Sequence, residues 1–488
     1  MEVFEIIKNG PSENRIDVVF MGDGYTPSEK PKFLSDIRRL TSDMWGAQTF
    51  ASVLPLFNIW AVFAPSNDSG IGVGGKPKDT PFGLYRDGTE LRGIYCSKPN
   101  EARKACTLTG PAACDYPSLI ANDDYYGGLG GEFVISTRSN ISGTVVLRHE
   151  MGHNLVEVGE EYDGGQVYSG VNSEPADRPL SELKWAHWFT DPDNIAEQKS
   201  VVRVQDYAWY DLSHGAYTLN FSSDGTYARW GLKISASGVD VDDAMRVSVD
   251  GVGLEWRGVG HLDRSFFDVR ADSGFEKGDH TLTFALGIPA PPGAPIRQLC
   301  SVQLIEYAAE PAFHMDNSYI SAYPTISQSG TKTYRPTNEG CLMRNMGLPI
   351  FCSVCKEGLW TSLLSRLHLI DTITTTCPGP GAPLITVTPL PLAQFRPGGD
   401  RGRDVERFAV RWYTRPAPSR LARQAVGGAG QIGNGTTEAW RRVRELDDLF
   451  VGTVHPGMWR VEVEFRSVEV RSEGGVMEGR WEGRVEGC

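Results

Sequence analysis

The chain has 488 residues, 40% of them apolar, enough for two to four domains with buried cores. Its 48 Lys and Arg against 61 Asp and Glu give a formal charge of −13, and no long basic run precedes an Arg-rich C-terminal region, which argues against a nucleic-acid partner. No stretch of 18 apolar residues occurs, so no membrane span is expected, and residues 1–8 lack the basic start and apolar core of a signal peptide.

In chain order, residues 16–21 read as a buried strand. Thr26 and Glu29 then make a capping box with Pro27 at the first helical position, and Phe33, Ile37, Leu40 and Met44 continue at helical spacing. Pro31 removes an early hydrogen bond, so the helix is expected to restart near Lys30. Gly22-Asp23-Gly24 and the glycines at 70–75 lack the rest of a dinucleotide site and read as tight turns. Residues 58–63 read as a second strand. Residues 66–125, rich in Gly, Pro, Asp and Asn, read as long irregular loops over a cleft. Residues 132–136 read as a third strand whose edge can pair with a peptide, and Gly128, Gly130 and Gly131 before it let a substrate backbone come close.

The segment 149–162 carries the chemistry. His149 and His153 stand at i and i+4, stacked on one face of a helix, where two imidazoles can share one zinc ion. Glu150 can reach a water on that ion and take its proton, the role of general base in hydrolysis. Leu147, Met151, Leu155 and Val158 supply the opposite, apolar face. Gly159 is expected to end the helix in a left-handed conformation, after which Glu160, or failing it Glu161, brings a third ligand; Glu157 points past the ion. Tyr162 is a candidate helper at the cleft, and Asn154 and Glu161 are candidates for orienting the ligands.

Beyond residue 200 the pattern turns to strands at 227–235, 245–249 and 281–284, with a hairpin signal at Asp250-Gly251. Residues 356–370 read as a helix with Leu359, Leu363, Leu367 and Ile370 on one face. A Pro/Gly linker follows at 377–383, and strands at 408–412 and 459–465 come after it.

The motif runs His149-Glu150-Met151-Gly152-His153 into Glu160-Glu161-Tyr162. With Gly22 to Thr26, Tyr126 to Glu132, Cys341 to Arg344 and Phe351 to Cys355, it resembles the IgA-peptidase family of zinc metallopeptidases, a metzincin-like group. The resemblance covers roughly residues 3–370. It implies an α+β, metzincin-like peptidase domain with a mixed sheet and an active-site helix, one catalytic Zn2+, and Met343 as the Met-turn residue under the site. It also implies a polypeptide or glycoprotein substrate and an extracellular, secreted enzyme, to which the sequons at Asn67, Asn140, Asn220 and Asn434 add little. Many members carry Asp where Glu160 stands.

The expected layout is a peptidase domain at 1–199, an inserted β-sandwich at 200–300, the rest of the peptidase domain at 301–376, a small β-sandwich at 383–472 and a disordered tail at 473–488, in a monomer. Of nine cysteines, Cys96, Cys106 and Cys114 form one cluster and Cys341, Cys352 and Cys355 another. Disulfides bracing loops near the site are the favoured reading. A structural zinc at Cys352 and Cys355 wants four ligands, and no second Cys-x-x-Cys is present. The odd count leaves a free thiol, with Cys488 a candidate. Two rival readings stand beside the zinc endopeptidase. One is a catalytically silent relative that binds glycoprotein or matrix through its β domains; the other is a zinc peptidase whose third ligand is Glu174 or Glu182 on a following helix.

Overall fold

A computed structural model describes every residue except 47–49, 167, 380–382, 398–403, 416–439, 447–450 and 473–476. The chain forms two compact units, Met1–Lys8 with Ile16–Leu359, and Asn9–Arg15 with Trp360–Cys488.

The first unit is built on a five-stranded sheet in the order Glu2–Ile7, Phe57–Phe63, Ile16–Asp23, Tyr116–Ala121 and Val134–Thr137. The Glu2–Ile7 edge is antiparallel and the remaining pairs are parallel. Parallel strands are covered on both faces, so they need continuous rather than alternating apolarity. Ile16–Asp23 meets that need, with all its residues buried. Helix α1 (Lys30–Gly46) follows a 3-10 turn at Pro27–Glu29, and the Thr26–Glu29 capping box is formed. The restart at Lys30 is where Pro31 required it.

Residues 66–125 differ from expectation. Phe82, Leu84, Ile94 and helix α2 (Pro99–Cys106) share one core with Val19, Met21, Val62, Leu119 and Ile135 of the sheet, so the segment is a packed layer. A disulfide joins Cys106 to Cys114. The segment also contains the sheet's Tyr116–Ala121 strand. Pro117 masked it, since proline argues against an interior strand. The Gly22-Asp23-Gly24 turn is structural: the Asp23 carboxylate accepts from Thr80 Oγ1, Phe82 N–H and Leu84 N–H, each at 2.8 Å.

Residues 200–307 form two antiparallel sheets around one core. One contains Ser200–Asp206, Arg229–Ser237, Ser265–Ala271 and Gln298–Tyr307; the other contains Tyr217–Ser223, Met245–Val249 and Gly278–Leu286. Leu232, Ile234, Val302 and Leu304 of the first sheet pack with Val247, Leu282 and Phe284 of the second. The expected limit at 300 falls inside the Gln298–Tyr307 strand, which pairs with Arg229–Ser237, so the sandwich extends to 307. Asp250 and Gly251 make the hairpin turn, both with positive φ.

In the second unit, Ile370–Thr376, Leu384–Pro389 and Val451–Thr453 form one sheet, and Arg441–Leu446, Glu406–Arg415, Gly457–Ser467 and Glu478–Val485 another. Two expectations are corrected here. Residues expected as a disordered tail supply the edge strand Glu478–Val485, and Cys488, the candidate free thiol, is bonded to Cys377. Alternation at Trp481 and Val485 was hidden by interspersed glycine and charge. Residues 473–476, part of the expected linker and Asn434 lie outside the described residues. Residues 9–15 also belong to this unit, through Arg15 on Asp371 at 2.7 Å.

Candidate metal centre

Helix α3 (Gly143–Val156) carries the motif. Leu147, Met151 and Leu155 are fully buried on its core side. The helix ends two residues earlier than expected. Glu157, at φ 55° and ψ 48°, is the left-handed residue, in place of Gly159. Gly159 is instead clamped by Asn172, whose side chain accepts its N–H at 2.8 Å and donates to its carbonyl at 2.9 Å. The chain therefore turns sharply enough to bring Glu160 back over the helix.

The Glu160 carboxylate faces both imidazoles, with Oε1 at 3.2 Å from His153 Nε2 and Oε2 at 3.5 Å from His149 Nε2. The ligand atoms of the three residues lie within 4.8 Å of one another. Zinc bonds of about 2.0–2.1 Å in a tetrahedron require donor separations of roughly 3.3 Å. His153 Nδ1 lies 2.8 Å from the Val158 carbonyl. That contact puts the ring proton on Nδ1 and leaves the Nε2 lone pair turned toward Glu160. Glu160 Oε2 is buried and makes no hydrogen bond among the described residues. The donor types, the spacing and this unsatisfied oxygen all fit a divalent ion of the zinc class.

The electrostatics agree. Burial opposes the charge on His149, but the Glu160 carboxylate, with Glu150 and the Leu342 backbone behind it, holds the imidazole well above its ordinary range. Burial likewise opposes ionisation of Glu160, yet the two histidines hold its carboxyl well below the usual carboxylate range. The Glu150 carboxyl is pushed up, chiefly by burial, against the charges of His149 and His153 and the Gly130 N–H.

Glu161, the alternative third ligand, points elsewhere. It is fully buried, and burial, followed by the Cys352 charge, pushes it up to about 8. Its carboxylate groups with Cys341, Cys352 and Cys355 and accepts from Asn172 Nδ2 at 2.8 Å. Glu174 is occupied by Lys184 at 3.3 Å and Arg178 at 3.6 Å, and it lies in a short strand, Glu174–Pro175, rather than a helix. Glu182 sits in an exposed 3-10 turn.

Met343 is fully buried, and its carbonyl accepts the Glu161 N–H at 3.0 Å, next to the ligand segment. Burial, then the Glu160 charge, pushes the Tyr162 phenol up. Asn154 reaches away from the imidazoles to the Gly131 carbonyl at 2.9 Å, bracing the glycine loop. In that loop a Cβ on Gly130 would lie 2.7 Å from Glu150 Oε2, so glycine there leaves room for the carboxylate. Gly128 is as tight, its Cβ position 2.3 Å from Val146 Cγ1, whereas Gly131 has open space. The Val134–Thr137 edge is partly taken. Leu129 and Ile135 exchange N–H···O bonds of 3.1 and 2.9 Å, so the 127–131 loop occupies part of that edge.

Sequence reasoning missed Tyr207, Asp263 and Arg264, and took Tyr126 only as the start of the motif ahead of the helix. Asp263 accepts from Ser139 and Ser142, both at 2.7 Å, just before α3, and from Tyr126 N–H. Arg264 lies over the Tyr126 ring at 4.6 Å and the Trp209 ring at 4.8 Å. The Tyr126 phenol is pushed up by burial, with Glu150 and Glu160 adding to the rise. The Tyr207 phenol is pushed up to about 12 by burial and then Glu160. Tyr207, Asp263 and Arg264 come from the sandwich, and no local motif announces them. Tyr207 and Asp163 also line a cleft of about 590 Å3 between the sandwich and residues 324–335.

Two histidines, one carboxylate and a second carboxylate beside them define a candidate metal-dependent hydrolase centre. Residues 4–202 match the family model of IgA Peptidase M64, which supports the IgA-peptidase family and a metallopeptidase over that part of the chain. No curated protein matches. Among solved structures, a GH2 β-galacturonidase from Eisenbergiella tayi is 12% identical with a TM-score of 0.14, covering 55% of this chain and 34% of its own. An FMN-binding β-glucuronidase from Facaelibacterium prausnitzii L2-6 is 11% identical with a TM-score of 0.15, covering 57% and 32%. A putative β-galactosidase from Bacteroides fragilis is 12% identical with a TM-score of 0.15, covering 67% and 40%. The chain spans about a third of the first two and two fifths of the last, and such scores carry no argument about fold or activity. No helix among the described residues is long and apolar enough to cross a membrane.

Proposed function

We propose that this chain is a zinc-dependent metalloendopeptidase that hydrolyses peptide bonds in proteins or glycoproteins. One observation carries the reading: the Nε2 atoms of His149 and His153 and the Glu160 carboxylate converge, with Glu150 next to them on the same helix. A zinc ion held by those three side chains supplies a Lewis acid and lowers the pKa of water toward about 7.

The chain's own residues do the rest. Glu150, raised by burial but kept ionisable by the histidines and Gly130 N–H, takes the proton of the attacking water on its carboxylate. It then delivers that proton to the leaving amine. The Tyr162 phenol, next to Glu160 and pushed up by burial and the Glu160 charge, stays protonated and is the candidate donor to a carbonyl oxygen gaining charge. His153 is fixed in orientation by the Val158 carbonyl, and Met343 forms the floor under the ligand segment. Gly128, Gly130 and Gly131 line the approach of the substrate backbone. The sandwich at 200–307 is an insert that completes the cleft wall. The disulfides Cys106–Cys114 and Cys377–Cys488 support an oxidising, extracellular setting. The silent-relative reading is not favoured, because the chain keeps Glu150, His149, His153 and Glu160, residues that a decayed enzyme would be free to lose.

The test is zinc content with casein or immunoglobulin hydrolysis for the wild type and Glu150→Ala. The variant should keep its metal and lose about 10²–10⁴-fold in rate. Equal activity in both proteins would refute the role of Glu150, and absence of metal from His153-intact protein would refute the centre.

A further inference from the structure

A second group of metal-binding side chains lies on the far side of the Glu160–Glu161 segment. Cys341, Cys352, Cys355 and Glu161 come from three separate stretches of chain, and all four are buried. Their ligand atoms lie within 4.8 Å of one another. Cys341 Sγ is 3.7 Å from Cys355 Sγ, and Cys355 Sγ is 3.8 Å from Glu161 Oε1. Tetrahedral zinc with bonds of about 2.3 Å to sulfur sets sulfur–sulfur edges of roughly 3.8 Å. None of the three cysteines is in a disulfide.

Two further observations point to a ligand. Glu161 Oε2 is buried with no hydrogen bond among the described residues, while Oε1 is oriented by Asn172 Nδ2 at 2.8 Å. A buried carboxylate oxygen without a partner costs free energy that a cation in the cluster would offset. Cys352 and Cys355 are also three residues apart at the start of helix α4 (Ser353–Leu364), with both sulfurs in the same cluster as Cys341 and Glu161.

We propose that Cys341, Cys352, Cys355 and Glu161 form a closed structural zinc site, distinct from the His149–His153–Glu160 centre. The four protein ligands leave no open position, so the site is structural rather than catalytic. Binding releases the thiol protons to solvent and involves no redox change. It ties the segment carrying Glu160 to the Met343 loop and to α4, so this ion holds the third ligand of the first centre in place. The missing second Cys-x-x-Cys is supplied by one distant cysteine and one glutamate.

The experiment is zinc stoichiometry by mass spectrometry on the full chain, for wild type, His153→Ala and Cys352→Ser, with cobalt spectra of His153→Ala. Two zinc ions in wild type and one in His153→Ala is the expected result, with Cys352→Ser losing the cysteine-site ion and holding the other less tightly or not at all. His153→Ala leaves the cysteine cluster untouched, so its cobalt form should show thiolate-to-cobalt charge-transfer absorption even if Cys352→Ser does not fold. One zinc in wild type, none in His153→Ala and no such absorption would overturn the inference, as would a disulfide among the three cysteines in the native protein. One zinc in wild type that His153→Ala keeps and Cys352→Ser loses would support this site while refuting the proposed catalytic centre.

Discussion

Arg344 is a buried side chain outside the two clusters, bonded to the Glu161 carbonyl, and replacing it with methionine tests how the segment carrying Glu160 is held. Its side chain is 0% exposed. It bonds Asp163 at 2.8 Å, Glu339 at 3.0 Å, the Glu161 carbonyl at 3.2 Å and Gln303 at 2.9 Å. Breaking a buried pair by removing one partner costs about 3–5 kcal/mol, because the other charge is left stranded. Here Asp163 keeps Gln303 at 2.8 Å and the Ile326 N–H at 2.6 Å, and Glu339 keeps Lys233. The lower part of the range, about 3–4 kcal/mol, is therefore expected. For a unit of roughly 350 residues, with an unfolding entropy near 2.1 cal/mol/K per residue, that lowers Tm by about 4–5 °C. Calorimetry on wild type, Arg344→Met, Asp163→Asn and the double variant measures it. The double variant should recover part of the loss, since the pair fails together. The Glu161 carbonyl also loses a donor, so zinc should dissociate faster from Arg344→Met. A Tm within one degree of wild type, or strict additivity in the cycle, would show that this network does not anchor the segment.

Gly130→Ala should keep the metal and lower kcat about 10²-fold, because the new Cβ displaces Glu150 Oε2; an unchanged kcat would remove Gly130 from the site. Glu29 is raised by burial, but hydrogen bonds from Thr26 N–H, Asn122 and Ser69 outweigh that and hold it at about 2. A depressed folded pKa contributes stability above the unfolded value near 4.5 that is lost as pH falls toward 2. Glu29→Gln should therefore flatten the stability curve in that window and lower neutral-pH stability by about 1 kcal/mol, read by urea titration at a series of pH values. Cys488→Ser opens a disulfide spanning 111 residues. It should destabilise the second unit by up to about 5 kcal/mol, with protease sensitivity rising between 370 and 485 and hydrolysis by the first unit retained.

The sequence by itself determined the local facts. The i, i+4 histidines with an adjacent glutamate, the capping box before α1 and the Asp250-Gly251 hairpin are each set within a few residues, because helical geometry and turn conformation act over that range. Long-range placement was decided only in the tertiary structure. The choice between Glu160 and Glu161 depends on which side of one extended segment faces the helix, and Asn172, Met343 and Arg344 set that from outside the motif. The Tyr116–Ala121 strand is held by burial between two neighbours that override Pro117, and Glu478–Val485 by pairing with a strand its own residues do not announce. The cysteines looked like disulfide partners because their spacing lacks a fourth ligand in sequence. Glu161 reaches them only because the chain folds back across about 180 residues, and loop closure over such distances leaves no periodic signal to read.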